Sequence, residues 1–232
     1  MGVWGKGKAP LAKLDAVIFD FDGTLADVPL DFDLMKTRIA ALGEVFLGER
    51  PVPDGKPALE WLEELVQRVM KLDEAEGKEF RSRGQLVITA MELDAARDGA
   101  LFPFTRPALD TLGRKGVAAG VITRNITAAV KVVFPDIEEC TRVFIPREDA
   151  PLVKPDPAHL FQALEKVGAD PGRSLMVGDH PMDVETAKRA GALSAAVTSG
   201  RMRPEDFAHL RPDFVAPDVE ALLIDLEKAG LL

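Results

Sequence analysis

Short apolar runs alternate with helical patterns along most of the chain. The first run, 14–20, ends in the carboxylate of Asp20 and precedes a Gly-Thr turn, which is typical of a buried parallel strand. Comparable runs cover 117–123, 142–145, 174–179 and 193–198. Apolar residues at helical spacing predict helices between them, over 106–115, 127–134, 157–168 and 183–190. This alternation predicts an α/β fold with a parallel sheet and helices on both faces.

The connection between the first and second strands is too long for a simple crossover. From about Asp31 to about Asp98, apolar residues keep a helical register. A structureless loop of that length is rare in a compact domain, so the segment is predicted to be an inserted helical bundle. Pro29 and 99–103 are the expected hinges. The expected domains are a Rossmann-like catalytic core over 1–28 and 99–232 and an inserted α-helical cap over 29–98.

Composition narrows the classes of function. Hydrophobic residues make up 47% and charged residues 29% of the chain, and no apolar stretch approaches the ~20 residues of a membrane span. A net charge of -9 argues against a nucleic-acid partner. The single cysteine, Cys140, agrees with a reducing compartment and reads as a structural residue. Segment 1–13 lacks a signal-peptide pattern, so we expect a loose leader to a cytoplasmic protein.

Polar groups lie where the predicted strands end, which is where open parallel sheets bind ligands. They follow the first, second and fourth strands, or precede a helix: Asp20, Asp22, Thr123, Lys154, Asp179 and Asp183. Carboxylates that converge there would repel, each pair by ~4 kcal/mol at ~4 Å with an effective dielectric near 20. A cation is therefore required, and oxygen-only ligands favour Mg²⁺.

These residue types suit phosphoryl transfer. With a metal present, Asp20 can attack phosphorus and form an aspartyl-phosphate. Asp22 can protonate the leaving alkoxide and then activate water. Thr123 can donate a hydrogen bond to the phosphoryl group, and Lys154 can supply positive charge to it and orient Asp20. Gly23 permits a sharp turn with free backbone N–H groups near the anion.

Taken together, four segments resemble the motifs of the haloacid dehalogenase-like hydrolase superfamily. In chain order they are Asp20-x-Asp22-Gly23-Thr24-Leu25, Val121-Ile122-Thr123, Lys154-Pro155 and Gly178-Asp179-x-x-x-Asp183. The match extends from Leu14 to about Thr198 and is far more specific than any one motif. It implies a phosphoric monoester hydrolase of the phosphoglycolate-phosphatase-like branch, with a helical cap of the first type.

The resemblance also implies roles for individual residues. Asp20 is expected to be nucleophile and metal ligand, and Asp22 to be the acid/base and to bind Mg²⁺ through its carbonyl. Asp179 is expected to bind the metal, and Asp183 to support its ligand shell. The expected phosphate or substrate contacts are Gly23, Thr24, Thr123, Arg124, Asn125 and Lys154. The substrate is expected to be a small phosphorylated metabolite, such as phosphoglycolate or a sugar phosphate.

Several alternatives stay open. An aspartate at position 22 favours ester hydrolysis or a phosphomutase of the β-phosphoglucomutase type, and a non-catalytic regulatory protein would keep the same fold. Arg124 either contacts substrate or caps the following helix. Asp183 can cap a helix as well as support a metal, and His180 either reaches the phosphate or faces solvent.

Two further alternatives concern the inserted segment. Trp61 is either cap core or a substrate platform. Its basic residues are mostly solvated helix faces, of which one or two can close over an anionic substrate: Lys36, Arg38, Arg50, Arg68, Arg81 and Arg83.

Overall fold

A computed structural model describes residues 12–232, which divide into two compact units. One unit is Pro29–Asp98, and the other joins the described residues before it to Gly99–Leu232. Most of the expected leader, residues 1–11, lies outside the described residues. Among the described helices, none has the length and apolar character that a membrane crossing needs.

Within residues 12–232 the structure has eight strands and nine α-helices. The strands are β1 (Ala16–Phe19), β2 (Ala26–Asp27), β3 (Ala100–Leu101), β4 (Ala118–Ile122), β5 (Val143–Ile145), β6 (Ser174–Gly178), β7 (Leu193–Val197) and β8 (Phe214–Ala216). The helices are α1 (Phe32–Leu47), α2 (Ala58–Met70), α3 (Glu74–Arg97), α4 (Thr105–Arg114), α5 (Thr127–Val133), α6 (Ile137–Cys140), α7 (Pro157–Val167), α8 (Pro181–Ala190) and α9 (Val219–Lys228).

Six of the described strands form one parallel sheet in the order β5-β4-β1-β6-β7-β8. β1 lies inside the sheet, with Ala16 opposite Ala118 of β4 on one side and Ser174 of β6 on the other. The strand order reverses beside β1, which is where open α/β sheets place their ligand crevice. The expected α/β class with a parallel sheet is confirmed.

Both faces of the sheet are covered, which explains the continuous apolar run of β1. Ala16 and Ile18 pack in a buried cluster with residues of α7 and α8, including Leu160 and Ala187. Val17 and Phe19 point to the other face because side chains alternate along a strand, and they are fully buried as well. A strand buried on both faces has no polar position until it ends, so its first carboxylate stands at the edge of the sheet.

The inserted unit is a three-helix bundle, α1 to α3, with its own core. Asp31 caps α1 by accepting from the Leu34 amide at 2.8 Å, and Asp73 caps α3 by accepting from the Glu76 amide at 2.9 Å. Trp61 is 2% exposed within the apolar cluster of this bundle, so its interpretation as core is confirmed.

The basic residues of the inserted unit are mostly held by their own unit. Side-chain partners are Glu44 for Arg50, Glu49 for Arg68, Glu63 for Arg81 and Glu79 for Arg83, while Lys36 donates to the Asp54 carbonyl. Arg38 has no side-chain partner among residues 12–232. These exposed pairs contribute little to stability, typically about 0.2–1 kcal/mol each.

A two-stranded antiparallel ribbon joins the two ends of the core where the helical unit is inserted. In it, Ala26 pairs with Leu101 and Asp27 pairs with Ala100. Beyond the ribbon, the Phe102 amide donates to the Leu25 carbonyl at 3.0 Å. The chain therefore leaves and re-enters the core at adjacent positions.

Candidate active site

Three strands bring the candidate residues to one edge of the sheet. Asp20 follows β1, Thr123 follows β4 and Asp179 follows β6. The Asp20 amide donates to the Val177 carbonyl at 2.8 Å, and the Thr123 amide donates to the Ile145 carbonyl at 3.1 Å. The backbones of Asp20 and Thr123 are thus held by neighbouring strands, which fixes where their side chains begin.

An acidic cluster is formed by Asp20, Asp179 and Asp183. One carboxylate oxygen from each residue lies within 4.8 Å of the others. Asp183 is fully buried and Asp20 is 9% exposed. Such a cluster can hold a cation through oxygen ligands, the donor set that Mg²⁺ or Ca²⁺ prefers.

Lys154 is buried between two of these carboxylates. Its Nζ lies 2.6 Å from Asp20 Oδ1 and 2.6 Å from Asp183 Oδ1, and its side chain is 1% exposed. Burial alone would lower the pKa of Lys154, but the attraction of Asp183 and Asp20 outweighs burial and raises that pKa. The ammonium group is therefore retained and orients Asp20.

One ammonium group does not neutralise three carboxylates. Burial raises the pKa of Asp179, and the negative charges of Asp20 and Asp183 raise it further. Burial likewise raises the pKa of Asp183, against the opposing effect of Lys154. Three carboxylates with one lysine leave two negative charges, which a divalent cation would balance. The residues therefore fit a divalent metal.

Asp183 supports the start of α8 in a different way from the expected N-cap. The helix begins at Pro181, so the N-cap is His180, and Asp183 is the third helical residue. Asp183 Oδ2 accepts from the His180 amide at 3.1 Å, while His180 Nδ1 accepts from the Met182 amide at 3.2 Å, which completes a capping box. The His180 ring is thus engaged by its own helix, and each oxygen of Asp183 has a donor.

The turn after Asp20 differs from the expectation of free amides. The Gly23 amide donates to the Ala26 carbonyl at 2.7 Å, and the Thr24 amide donates to the Phe21 carbonyl at 3.2 Å. Both N–H groups are consumed by the turn. The Thr24 hydroxyl is buried with no hydrogen-bond partner in the described residues.

Glycines let the backbone approach the acidic cluster. Gly23 has φ +80°, and a Cβ there would collide with the carboxylate of Asp179. A Cβ on Gly200, which follows β7, would collide with the same carboxylate. Ser199 ties the two loops together by donating from its hydroxyl to the Gly23 carbonyl at 2.7 Å. Sequence reasoning missed Ser199 and Gly200, whose only signal is their position just beyond a strand.

The loop after β4 carries three expected contact residues. Thr123 is fully buried, and its Oγ1 accepts from the Asn125 amide at 3.0 Å. Arg124 donates from Nη1 to the Lys154 carbonyl at 3.0 Å and lies 3.5 Å from Met182 Sδ. The N-cap of the following helix, α5, is Ile126, whose side chain makes no capping hydrogen bond, and both expectations for Arg124 stay predictions. The guanidinium of Arg124 faces the loop that carries the buried lysine.

The amide of Asn125 faces the side chain of Asp22. Nδ2 lies 3.1 Å from Oδ1 and 3.2 Å from Oδ2 of that carboxylate. The expected substrate contact at Asn125 is therefore a side chain that touches another candidate catalytic residue. Nine of the ten residues of the expected site lie on the turn after β1 or on the loops that follow β4, β5 and β6, and the tenth, Asp183, lies in the first turn of α8.

The segment that supplies these residues matches a known protein family. A family model described as haloacid dehalogenase-like hydrolase matches residues 14–191, well over half of the 232-residue chain. The chain belongs to this family. The helical insertion between β1 and β4 agrees with the resemblance to its phosphoglycolate-phosphatase-like members.

Curated relatives in the haloacid dehalogenase-like family cover nearly the whole chain. A phosphoglycolate phosphatase of Pseudomonas syringae pv. tomato is 29% identical over 229 residues, which is 93% of this chain and 82% of the relative. An N-acetylmuramic acid 6-phosphate phosphatase of Pseudomonas aeruginosa is 28% identical over 221 residues, 94% and 96% of the two chains. Among solved structures, a hydrolase from Pseudomonas syringae shares the fold, with a TM-score of 0.70 at 20% identity over 92% and 98% of the two chains.

His159 is a buried residue that sequence reasoning did not identify. Its Nε2 lies 3.1 Å from the Ile145 carbonyl, and its Nδ1 is 3.4 Å from the Lys154 amide. The amide must donate, so Nδ1 accepts and Nε2 carries the hydrogen. The ring thereby connects the end of β5 to the lysine loop.

The buried His159 ring is expected to make stability depend on pH. Burial, together with the charges of Lys154 and Arg124, lowers the pKa of His159 to about 4 against the opposing effects of the Ile145 carbonyl and Asp20. Between pH about 6.5 and 4 the unfolded chain binds a proton that the native ring does not, so stability falls as pH decreases through that window, by at most about 3 kcal/mol.

Urea unfolding of wild type and His159→Gln between pH 7 and 4 measures this effect. The variant should lose about that much less stability across the window than wild type. His209→Gln is the control, because His209 is exposed. Parallel pH profiles for wild type and His159→Gln would contradict this expectation, because they would show that the native ring binds its proton over the same pH range as the unfolded chain.

Proposed function

We propose that this protein is a Mg²⁺-dependent phosphatase that hydrolyses a small phosphate monoester through an aspartyl-phosphate on Asp20. The observation that carries the proposal is the contact of Asp20 with Lys154, 2.6 Å from Oδ1 to Nζ, beside the carboxylate of Asp179. A buried ammonium group orients a nucleophilic carboxylate, and it also offers positive charge to an incoming phosphate.

In this mechanism Asp20 attacks phosphorus in line with the leaving alkoxide. Asp22 donates a proton to the departing oxygen and later removes one from the water that hydrolyses the aspartyl-phosphate. Thr123 and Lys154 contact the phosphoryl oxygens. Arg124 lies beside Lys154, because its guanidinium donates to the Lys154 carbonyl. Gly23 and Thr24 act by shaping the turn that carries Asp22, since their amides are already engaged.

The metal would be held by Asp20 and Asp179, with the Asp22 carbonyl as the further protein ligand expected from the family. Asp183 supports this set through Lys154 and the start of α8, because both of its oxygens already accept hydrogen bonds. When bound, Mg²⁺ supplies the positive charge that lets a carboxylate approach a phosphate dianion.

The proposed substrate class is a phosphate ester of a small metabolite that also carries a carboxylate. The two curated relatives described above are named for phosphoglycolate and for N-acetylmuramic acid 6-phosphate, which are both phosphorylated carboxylic acids. Sugar phosphates without a carboxylate form the second class to test. Fold and catalytic residues do not fix the leaving group, so the substrate must be found by assay.

A phosphate-release screen with Mg²⁺ tests the proposal. The panel contains phosphoglycolate, N-acetylmuramic acid 6-phosphate, glycerol phosphates and hexose phosphates. We expect release from at least one of them, a loss of more than about 100-fold on chelation by EDTA, and recovery when Mg²⁺ is restored. Chromatography of the sugar phosphates reports isomers, so isomer formation without phosphate release would replace the phosphatase by a mutase. No turnover of any kind would favour a binding protein.

A further inference from the structure

Asn125 joins two parts of the site that are far apart in the chain. Its side-chain amide is 3.1 and 3.2 Å from the two oxygens of Asp22, a residue 103 positions earlier. Asn125 is 4% exposed and Asp22 is partly buried, so the contact is partly sheltered from water. A hydrogen bond to a carboxylate in such a place is stronger than one at the surface.

The orientation of this amide is fixed by its other end. The Ile126 backbone amide donates to Asn125 Oδ1 at 2.8 Å. An N–H group requires an acceptor, so the oxygen must face Ile126 and the NH₂ group must face Asp22. The assignment of the two ends of the side chain follows from this bond.

The backbone of Asn125 is held as firmly as its side chain. Its N–H donates to Thr123 Oγ1 at 3.0 Å, and its carbonyl accepts from the Arg147 amide at 3.0 Å. Arg147 also donates from Nη1 to the Arg124 carbonyl at 2.6 Å. Every polar group of Asn125 therefore has a partner, and the loop after β4 is fixed to the segment after β5.

We propose that Asn125 is a positioning residue for the acid/base carboxyl of Asp22. The inference rests on the proposed function and adds to it a residue that acts through another rather than on the phosphate. A general acid must come within about 2.6–3.2 Å of the oxygen it protonates, and small displacements are costly. Asp22 lies on a turn and is only partly buried, so an anchored amide restricts its side chain.

Asn125 is expected to affect only the steps in which Asp22 gives or takes a proton. In the first step a bond forms between Asp20 and phosphorus while the ester P–O bond breaks. The electron pair of the broken bond stays on the leaving alkoxide oxygen, which takes the proton of Asp22. In the second step a water oxygen bonds to phosphorus and gives its proton to Asp22, while the Asp20–phosphorus bond returns its electron pair to Asp20. An alkoxide needs the proton of the first step, whereas a nitrophenolate leaves without it.

Substrates with different leaving groups therefore test the proposal. For a two-step enzyme, kcat/KM reports only the steps through departure of the alcohol. We expect Asn125→Ala to lower kcat/KM by about 100-fold or more for phosphoglycolate or glycerol 3-phosphate, whichever wild type hydrolyses faster. For p-nitrophenyl phosphate the loss should stay below about 5-fold.

Two further variants keep the test decisive. Asn125→Asp has the same shape and still offers Oδ1 to Ile126 but removes the donor, so it should show the same contrast even if the alanine variant folds poorly. Glu148→Gln is the matched control: Glu148 Oε1 accepts from the Thr127 amide at 2.8 Å at the start of α5, two residues after Asn125, and it has no contact with Asp22 among its hydrogen bonds. This variant should affect both substrates equally and weakly.

Equal losses on the two substrates for Asn125→Asp would overturn the positioning role. So would additive losses when Asn125→Asp is combined with Asp22→Asn, because a residue that acts through Asp22 has nothing left to position in that background. If wild type turns over neither substrate, the alkyl phosphate that it hydrolyses in the screen takes the place of phosphoglycolate. Release from no ester of the screen would overturn the proposed function itself, which is a different result from equal losses.

Discussion

Asp20→Asn is expected to lower kcat by at least about 10⁴-fold while the protein stays folded. The amide has the shape of the carboxylate but does not attack phosphorus, so the covalent route is lost. Stability should be retained or slightly increased, because the substitution removes one of three mutually repelling carboxylates while Lys154 keeps Asp183 as a partner. Steady-state phosphate release and thermal unfolding measure the two effects.

A trapping experiment separates a lost nucleophile from a damaged site. Wild type quenched in acid during turnover should carry one phosphoryl group that hydroxylamine removes, as an acyl-phosphate requires, and Asp20→Asn should carry none. Asp15→Asn is the control, because Asp15 stands at the opposite end of β1 and pairs with Arg173 at 2.6 Å near the surface. Near-normal activity of Asp20→Asn would eliminate the aspartyl-phosphate mechanism.

Lys154→Met is expected to destabilise the protein by about 3–5 kcal/mol at pH 7–8 and to abolish measurable turnover. The ammonium group is the buried counterion of Asp20 and Asp183, and removing one partner of a buried pair leaves charges without compensation. Urea unfolding without metal measures the loss of stability. Lys131→Met, which removes a surface pair with Glu138, should change stability by less than about 1 kcal/mol.

The loss from Lys154→Met should depend on pH in a defined direction. The native pKa of Asp183 is raised to about 6 from an ordinary value near 3.8, and without the lysine it would rise further. A carboxyl with a raised native pKa contributes its stability below its unfolded pKa and loses it as pH rises through the native pKa. The deficit of the variant should therefore be smaller at pH 5 than at pH 8. A deficit independent of pH would point to lost packing instead.

Much of the site was predictable because its residues follow strands. Asp20, Thr123 and Asp179 each come directly after a buried apolar run, and parallel strands bring such positions to one edge. The inserted helices were predictable from their length and apolar register. α8, in contrast, begins at Pro181 rather than Asp183, because the cap is a histidine and the usual capping residue lies inside the helix.

Other features were not predicted from the sequence. β8 has only three residues, of which Ala216 alone is buried, and it was not predicted. α9 has apolar residues at helical spacing but lies beyond the four motifs, and it was not predicted. The pairing of Asn125 with Asp22 and the approach of Gly200 to Asp179 arise only when distant loops meet. The roles of these residues stay predictions until the variants are measured.

The ribbon of β2 and β3 makes the helical unit a replaceable module. Paired strands lie about 4.8 Å apart, so the core needs only a tight reverse turn to connect Asp27 with Ala100. Insertions of any length at such a point leave the order and register of the sheet unchanged. The inserted unit can thus change while the core stays the same, and a chimaera that carries the corresponding segment of a relative in place of residues 29–98 is expected to keep the parallel sheet and the acidic cluster of this chain.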